Sequence, residues 1–569
     1  MAPRSATRAI PILAVLVVLT TAPAVAGPTD RPDSTATILV TSAAGARQAR
    51  VANLPLEAGP APRDGRVVVS VAPDRPRQVI DGIGTSFTES SAFVLAHLDP
   101  ARRAEVVARL FGAEGADFTL ARTHLGSCDF SVEGRYSYAE RPDDRQLASF
   151  SIAPDSAGFD PSRYPGVRDP AYDLLPFVRE ALALKRGRPD SPLRIVASAW
   201  TAPPWMKDIG TWYIPGSAAN GWQGSGGWLK DEHFATYADY LVKALEAWDA
   251  AGVRFWALTP VNEPHGNGGH WESMHFTPGS QNVFIRRDLG PRLWASRVPN
   301  TRLLVYDQNR DGLEPWLDAI LGDRDTAPYV YGAAIHWYGS TVKVFDDVLE
   351  MAHRRYPDFA IVHTEGCIDA LGTPAPGGIT DPDGFTEEPL WFGNDAWWWE
   401  AHATDWAYTA TWAGPGAADH PKYVPVHRYA RNIIVSLDHW VTGWIDWNAV
   451  LDRRGGPNHV DNFCGAPVMI DTDTGEIHYT PVYHVLAQFS RTIRPGDRAV
   501  TVTRDLAGRD ADALHACATM NADGLVSVQL LNTTGAALAI GLEIGDRHLD
   551  LTVPANAVQT VRVAGTTSP

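Results

Sequence analysis

Strand-like runs alternate with helical segments over residues 78–448, and this alternation restricts the fold more than any other feature of the sequence. Such alternation is typical of βα units, whose strands lie parallel in one sheet. Helical spacing is clear over 234–251, where Tyr237, Leu241, Ala244 and Trp248 share a face. The candidate strands are residues 79–84, 118–125, 194–200, 254–260, 301–307, 331–338, 359–365 and 441–448. Eight strands close a (β/α)8 TIM barrel, so we predict an α/β fold of that kind.

Both ends of the chain predict an additional all-β domain. After residue 494 the helical pattern stops, and residues 499–503, 525–531, 538–544 and 549–563 alternate like strands between turns. Two earlier runs, 37–41 and 66–71, need strand partners elsewhere. We therefore expect a β-sandwich side domain built from both N- and C-terminal strands. The predicted division is 1–26 signal peptide, 27–77 leader and sandwich strands, 78–494 catalytic barrel, and 495–569 C-terminal sandwich.

The first 26 residues have the layout of a secretory signal. Arg4 and Arg8 precede an apolar run, residues 10–19, and Ala24-Val25-Ala26 supplies small residues for cleavage. A membrane anchor would need about 20 apolar residues, which is longer than this run. We expect a secreted protein whose mature chain begins near Gly27.

Charge and cysteine content argue against other classes of protein. The net charge is -17 and the basic residues are scattered, so nucleic acid is a poor candidate partner. Four cysteines in so long a chain are no disulfide framework and match no zinc spacing. Cys128 and Cys367 are expected to be buried free thiols.

Metal and cofactor motifs are weak. His265, His270 and His275 lie five residues apart, and the chain has no His-Glu-x-x-His pattern around them. Gly82-Ile83-Gly84 lacks the third glycine and helical opening of a dinucleotide site. We predict no metal and no cofactor.

Reactive side chains gather where the predicted strands end. In a parallel barrel these ends form the C-terminal rim, which is where barrel enzymes carry their chemistry. The rim would hold Asp81, Arg122, His124, Asp129, Trp200, Asn262, Glu263, Asp307, His336, Tyr338, Glu365, Trp444, Asp446, Trp447 and Asn448.

Two of these residues are glutamates at the ends of the fourth and seventh predicted strands, Glu263 and Glu365. Glycosidic bond cleavage needs two facing carboxylates, one to protonate the leaving oxygen and one to stabilise or attack the anomeric carbon. A separation of about 5 to 5.5 Å would mean retention of configuration. In that division Glu263 would be the acid/base and Glu365 the nucleophile, while Asn262 would hold the sugar 2-hydroxyl.

A series of motifs then resembles one family. The motifs are Asp81-Gly82-Ile83-Gly84, Ser127-Cys128-Asp129-Phe130-Ser131, residues 199–207 (AWTAPPWMK), residues 255–264 (FWALTPVNEP), His336-Trp337-Tyr338, Thr364-Glu365-Gly366-Cys367, residues 443–448 (GWIDWN) and residues 455–463 (GGPNHVDNF). In this order, from about residue 78 to 495, they resemble the glucosylceramidase family, glycoside hydrolase family thirty.

The resemblance implies retaining hydrolysis without a metal, with Glu263 as acid/base and Glu365 as nucleophile. Its matching sugar contacts are Asp129, Trp200, Asn262, Trp447 and Asn462. Its matching positions around the nucleophile are Arg122, His336 and Tyr338. Asp129 would grip the outer hydroxyls, and His336 and Tyr338 would orient Glu365.

The chain departs from the family pattern between Gly366 and His427, where a long segment follows the seventh strand. The segment carries Trp391, Trp397, Trp398, Trp399, Trp406 and Trp412. These tryptophans either pack the segment's own helix or build a platform for the leaving group. The second possibility would put ceramide in doubt as the natural leaving group.

We predict a secreted retaining β-glycosidase that hydrolyses β-glucosides of the glucosylceramide type. The alternatives are an endo-β-1,6-glucanase or a β-xylosidase of the same family, and a non-catalytic carbohydrate-binding protein. The expected partner is a β-glucoside or glycolipid substrate, and a glycolipid would bring transient contact with lipid surfaces. No stable protein partner is implied.

Overall fold

A computed structural model describes residues 35–221, 223–368, 391–399, 425–460 and 462–564. Its strands are β1 (Thr35–Ser42), β2 (Ala49–Pro55), β3 (Glu57–Ala58), β4 (Val67–Val79), β5 (Gly82–Phe87), β6 (Leu120–Leu125), β7 (Arg194–Ala199), β8 (Ala257–Thr259), β9 (Arg302–Asn309), β10 (Gly332–His336), β11 (Ala360–Glu365), β12 (Val441–Asp446), β13 (Val450–Asp452), β14 (Val468–Ile470), β15 (Ile477–Tyr479), β16 (Arg498–Asp505), β17 (Leu514–Met520), β18 (Val526–Asn532), β19 (Leu538–Ile544), β20 (Arg547–Val553) and β21 (Ala557–Val563). Its α-helices are α1 (Glu89–Ala96), α2 (Pro100–Phe111), α3 (Leu174–Ala183), α4 (Phe234–Ala250), α5 (Pro278–Phe284), α6 (Gly290–Ala295), α7 (Glu314–Ile320), α8 (Asp346–Arg355), α9 (Asp395–Trp399), α10 (Val426–Asp438) and α11 (Pro481–Thr492). The proposed signal, residues 1–26, lies outside the described residues.

Strands β5 to β12 form a closed parallel barrel, which confirms the predicted TIM barrel. Seven of the strands each contribute one apolar side chain to a small buried cluster inside it. The eighth strand, β5, contributes Gly84, where an added Cβ would lie 1.7 Å from the carbonyl oxygen of Leu120. The glycines of the Gly82-Ile83-Gly84 motif therefore serve close packing of β5 on β6.

The first barrel strand begins three residues later than predicted, because Val79 ends β4 of the other sheet. Asp81 consequently lies at the N-terminal opening of the barrel, and its place on the C-terminal rim was predicted wrongly. Its carboxylate accepts hydrogen bonds from Arg194 Nη1 at 2.9 Å and from Thr442 Oγ1 at 2.7 Å, near the starts of β7 and β12. The Asp81 carboxylate therefore links the N-terminal ends of β7 and β12.

The remaining long strands form one ten-stranded sheet in the order β2-β1-β21-β18-β17-β16-β4-β19-β20-β3. N-terminal β1 pairs with C-terminal β21, and β4 lies between β16 and β19, so the early strands do complete the predicted sandwich. Buried residues from both halves of the sheet, such as Val69, Leu530 and Leu551, share one core. The sequence pattern missed β2, β3 and β17.

Helix α11 joins the barrel to the sandwich and is buried along most of its length. Gln488 accepts a hydrogen bond from Thr41 Oγ1 at 2.6 Å and donates one to Thr560 Oγ1 at 2.9 Å. Ser490 Oγ donates to the carbonyl of Ile83 in the barrel at 3.4 Å. The barrel and the sandwich are therefore connected by buried hydrogen bonds of the α11 side chains.

The four cysteines are all buried, as expected for Cys128 and Cys367. Within the described part of the chain, no helix is long and apolar enough to span a bilayer.

The tryptophan-rich segment is described only over residues 391–399. Trp391, Trp397, Trp398 and Trp399 are buried there, and Trp398 Nε1 donates to the carbonyl of Trp391 at 2.9 Å. These four side chains are packed inside, which favours the packing interpretation over a platform. Trp406 and Trp412 lie outside the described residues.

Candidate active site

Glu263 stands at the C-terminal mouth of the barrel, just beyond β8. Its φ of 48° lies in the left-handed region, which is uncommon for a residue with a side chain and marks a functional position. Its N–H donates to the carbonyl of Asp307 at 3.0 Å, while the N–H of Asn262 donates to the carbonyl of Ala199 at 2.7 Å. The strand end is therefore tied to both neighbouring strands, which directs the Asn262 and Glu263 side chains into the mouth.

Glu365 ends β11 and reaches the same point from the other side of the barrel. Ligand atoms of Glu263, His336 and Glu365, one from each residue, all lie within 4.8 Å of one another. The two predicted carboxylates are thus brought together with a histidine between them.

Arg122, buried in the middle of β6, connects the two carboxylate-bearing strands. Its Nη1 donates to Glu365 Oε2, and its Nη2 donates to Asn262 Oδ1 at 2.8 Å and to Asp307 Oδ2 at 2.7 Å. Its Nε donates to Ser198 Oγ at 2.9 Å. One guanidinium therefore fixes the geometry of Glu365 and Asn262 together.

Asp307 accepts hydrogen bonds from several of these side chains, although the sequence assigned it no specific role. It accepts hydrogen bonds from Arg122, from Thr259 Oγ1 at 2.7 Å and from Thr364 Oγ1 at 2.7 Å. Burial alone would raise the pKa of Asp307, but the positive charges of Arg122 and His336 hold it far below its ordinary value. Asp307 lies on the predicted rim, and its φ of 67° turns the backbone into the left-handed region within β9.

His336 at the end of β10 is a buried cation. Burial opposes its charge, but Glu365, Asp307 and Glu263 together raise its pKa to about 9. Its Nδ1–H donates to Glu263 Oε1 at 3.2 Å and its Nε2–H donates to Asp307 Oδ1 at 3.0 Å. The resemblance placed His336 as an orienter of Glu365, whereas its hydrogen bonds go to Glu263 and Asp307.

The side chains of Glu263, His336 and Glu365 are better suited to holding and transferring protons than to binding a metal ion. A protonated imidazole has no lone pair to offer, and both ring nitrogens of His336 already face carboxylates. Arg122 also occupies one oxygen of Glu365. The absence of a metal stays a prediction.

The charge on His336 should appear in the pH dependence of stability. Its pKa rises from about 6.5 to about 9 on folding, so its stabilising effect is complete below pH 6.5 and is lost as the pH rises through 9. We expect the loss of unfolding free energy caused by His336→Gln to be largest below about pH 6.5 and to shrink toward about pH 9.5. Urea unfolding of both proteins across this range measures the difference.

His484→Gln is the matched control. His484 is also buried, but burial lowers its pKa to about 4, so its effect on stability should not change above about pH 6.5. A His336→Gln difference that is equally flat above pH 6.5 would show that His336 is neutral in the folded protein.

A wall of aromatic and polar side chains flanks the carboxylates. The rings of Trp200 and Trp447 stack at 5.2 Å, and the Arg122 Cζ atom lies 4.9 Å from the centre of the Trp200 ring. Asn462 Nδ2 donates to Asp129 Oδ2 at 3.2 Å. Burial and the charge of Glu365 raise the pKa of Asp129 to about 8. Aromatic faces beside polar groups are suited to sugar rings.

Two other residues of the predicted rim, Tyr338 and Trp444, lie in different surroundings. Tyr338 is partly exposed, and its hydroxyl lies 3.4 Å from the Sγ atom of Cys367, two residues beyond Glu365. Trp444 was predicted on the rim, but it packs behind the barrel wall against His363 and Trp337. That prediction was wrong, because alternate residues of a strand face opposite sides.

Sequence reasoning missed Glu272 and His459, which lie behind Asp129. Buried Glu272 accepts hydrogen bonds from Ser127 Oγ at 2.8 Å and from His459 Nε2 at 3.1 Å. Burial lowers the pKa of His459, but Glu272 and Asp129 reverse this effect and raise it. The resulting ion pair of Glu272 and His459 helps to hold Asp129 in place. His459 lies in a quoted motif, but no sequence signal marks Glu272.

A closed barrel with two carboxylates, an arginine and stacked tryptophans at its C-terminal mouth is the architecture of a glycoside hydrolase. Residues 80–373 and 415–493 match the model for the glycosyl hydrolase family 30 TIM-barrel domain, and residues 499–561 match the glycosyl hydrolase family 30 beta sandwich domain. The chain therefore belongs to glycosyl hydrolase family 30 and is a glycoside hydrolase of that family.

Two curated relatives are similar over most of their length. The lysosomal acid glucosylceramidase of Mus musculus is 28% identical over 498 residues, which cover 87% of this chain and 83% of the relative. An endo-1,6-beta-D-glucanase of Neurospora crassa is 24% identical over 485 residues, covering 84% of each.

Solved structures share the fold. SrfJ from Salmonella typhimurium superposes with a TM-score of 0.72 at 24% identity, covering 93% of this chain and 99% of that one. An endo-beta1,6-glucanase superposes with a TM-score of 0.68 at 23% identity, covering 94% and 100%.

Proposed function

We propose that this protein is a secreted retaining β-glucosidase that cleaves β-glucosides of the glucosylceramide type. One observation carries the retaining mechanism: a carboxylate oxygen of Glu263 lies within 4.8 Å of one of Glu365. Inverting enzymes separate their carboxyl groups by about 6.5–9.5 Å to admit a water, so the closer pair favours direct attack and a covalent intermediate.

In the first step Glu263 gives a proton to the glycosidic oxygen while Glu365 attacks the anomeric carbon. The bond to the leaving group breaks and a glycosyl ester forms on Glu365. Burial raises the pKa of Glu365, and the charges of His336 and Arg122 act against this rise and favour the attacking carboxylate. Glu263, now ionised, then takes a proton from water, which attacks the ester and releases the sugar with its original configuration.

The glucose specificity rests on the wall around the carboxylates. Asn262, held by Arg122, is placed beside the nucleophile to bind the 2-hydroxyl, and Asp129 with Asn462 offers polar atoms to the outer hydroxyls. The glucosylceramide assignment is supported by the similarity to the mouse glucosylceramidase.

A second candidate function is endo-β-1,6-glucanase, supported by the similarity to the Neurospora crassa enzyme. The β-xylosidase alternative has less support, because the solved family 30 xylanases are 15–17% identical and show the fold alone.

Substrate comparison and product stereochemistry test the proposal together. The purified enzyme is given glucosylceramide in detergent micelles, soluble β-1,6-glucan, and aryl β-glucosides and β-xylosides. We expect the highest kcat/KM for glucosylceramide and, by proton NMR, β-glucose as the first product. Release of oligosaccharides from the glucan with no hydrolysis of glucosylceramide would favour the second function. Initial release of the α anomer would rule out retention.

Secretion rests on the sequence of residues 1–26 alone. N-terminal sequencing of exported protein should begin near Gly27, and a retained Met1 would contradict cleavage.

A further inference from the structure

Arg310 is a buried cation that the catalytic mechanism does not use. It follows β9 and has 1% of its surface exposed. Its Nη1 donates to the carbonyl of Val344 at 3.2 Å and to Asn432 Oδ1 at 3.0 Å. Within the part of the chain that the structure describes, its Nε and Nη2 are buried without a hydrogen-bond partner. A buried guanidinium normally has all its donors paired, so these two are unusual.

Among the residues that the structure describes, no carboxylate forms an ion pair with Arg310, and its charged neighbour is another arginine, Arg431 on α10. Burial and this repulsion lower the pKa of Arg310 to about 9. A buried charge without a partner is strongly destabilising, so a negative charge beside Arg310 would stabilise the fold.

The surroundings of Arg310 supply further donors. Arg431 on the helix side has a buried Nε for which the described residues supply no partner, while its Nη2 donates to the carbonyl of Val342. On the barrel side, Arg310 Cζ lies 5.7 Å from the centre of the Trp444 ring, which lies 5.6 Å from the ring of Trp337. The indole N–H of Trp337 is likewise buried without a partner among the described residues. Guanidinium and indole groups donate hydrogen bonds and accept none.

The positive charge of Arg310 also affects the neighbouring His363. It stacks on Trp444 at 3.5 Å, and burial together with Arg310 holds its pKa well below the ordinary value. His363 is therefore neutral and adds no positive charge. The group of Arg310, Arg431, Trp337 and Trp444 is called the donor cluster below.

We propose that the donor cluster binds a small monovalent anion of the halide class, chloride, between the barrel wall and α10. A halide accepts hydrogen bonds from any direction and donates none, which matches the guanidinium and indole donors of this cluster. A monovalent ion is also easier to bury than a multiply charged oxyanion, whose desolvation costs more. The bound anion would neutralise Arg310 and stabilise residues 342–344, which follow β10.

Thermal unfolding in matched salts tests the proposal on the full protein. Sodium chloride is compared with sodium gluconate at the same ionic strength, about 0.1 M, since gluconate screens surface charge equally but is too large for a buried site. For binding in the millimolar range we expect chloride to raise the unfolding midpoint by about 2 °C. In Arg310→Met the two salts should give the same midpoint, whereas the control Arg75→Met, at an exposed arginine, should keep the chloride effect.

A second measurement does not depend on the variant folding. Crystals of the unaltered protein are soaked in sodium bromide, and anomalous scattering should give a peak within hydrogen-bonding distance of the Arg310 guanidinium. Equal midpoints in chloride and gluconate would overturn the proposal. So would a chloride effect that survives in Arg310→Met, or bromide peaks confined to the protein surface.

Discussion

Glu365→Gln should lower kcat on β-glucosides by a factor on the order of 10⁴ or more. An amide is too weak a nucleophile to form the glycosyl ester, although its shape is almost that of the carboxylate. The amide oxygen can still accept the Arg122 hydrogen bond, and Arg122 keeps Asp307 and Asn262, so the barrel should fold. Steady-state kinetics with an aryl β-glucoside measures the loss, and a 2-fluoro-glucoside should label the unaltered protein on Glu365 and leave the variant unlabelled.

Glu89→Gln is the matched control for this substitution. Glu89 is also buried, and burial with the charge of Asp173 raises its pKa to about 8, so the amide copies its protonated form near neutral pH. Its Oε2 accepts the N–H of Val132 and does not face the reacting pair. We expect activity close to that of the unaltered enzyme. Residual activity of Glu365→Gln within tenfold of this control would remove Glu365 from its proposed role.

The barrel could be predicted because its strands are buried on both faces. Runs such as residues 255–258 (FWAL) and 359–362 (FAIV) are continuous in apolar residues, and helices between them leave few alternatives to a parallel sheet. The start of β5 was misplaced because β4 and β5 are separated by only Ile80 and Asp81, so no turn signal separates Val79 of the sandwich from the first barrel strand. Strand β17 was missed because its sequence, LHACATM, has only one of the β-branched residues that mark strands, Thr519.

The residues at the strand ends could be predicted because a parallel barrel collects them at one mouth. Glu263, Glu365, Asn262 and Arg122 do meet there. The role of Asp307 could not be read from its position, because its hydrogen bonds come from four other strands and depend on a left-handed backbone. Contacts between loops, such as that of Glu272 with His459, are set by tertiary structure alone.

Glu263→Ala should affect substrates according to how much their leaving group needs a proton. For glucosylceramide, whose alkoxide leaves poorly, we expect kcat/KM to fall by about 10³-fold. For a dinitrophenyl glucoside, whose phenolate leaves without help, the first step should slow far less. The intermediate should then accumulate, because no base activates the water, and a burst of dinitrophenol should precede a slow steady state. An equal loss on both substrates would argue for a structural effect of the substitution.

Azide distinguishes the roles of the two glutamates, because it is a small anion that needs no base. In Glu263→Ala it should attack the glycosyl ester on Glu365 from the open face and give the β-glucosyl azide, with faster turnover of the activated substrate. In Glu365→Ala it should enter from the face where the carboxylate stood and give the α-glucosyl azide. The anomeric configuration of each product, read by NMR, therefore reports which face each residue serves. Since the pair lies within 4.8 Å and shares His336 and Arg122 as neighbours, loss of activity alone would not separate them. An α product from Glu263→Ala and a β product from Glu365→Ala would reverse the assignment while keeping the retaining mechanism.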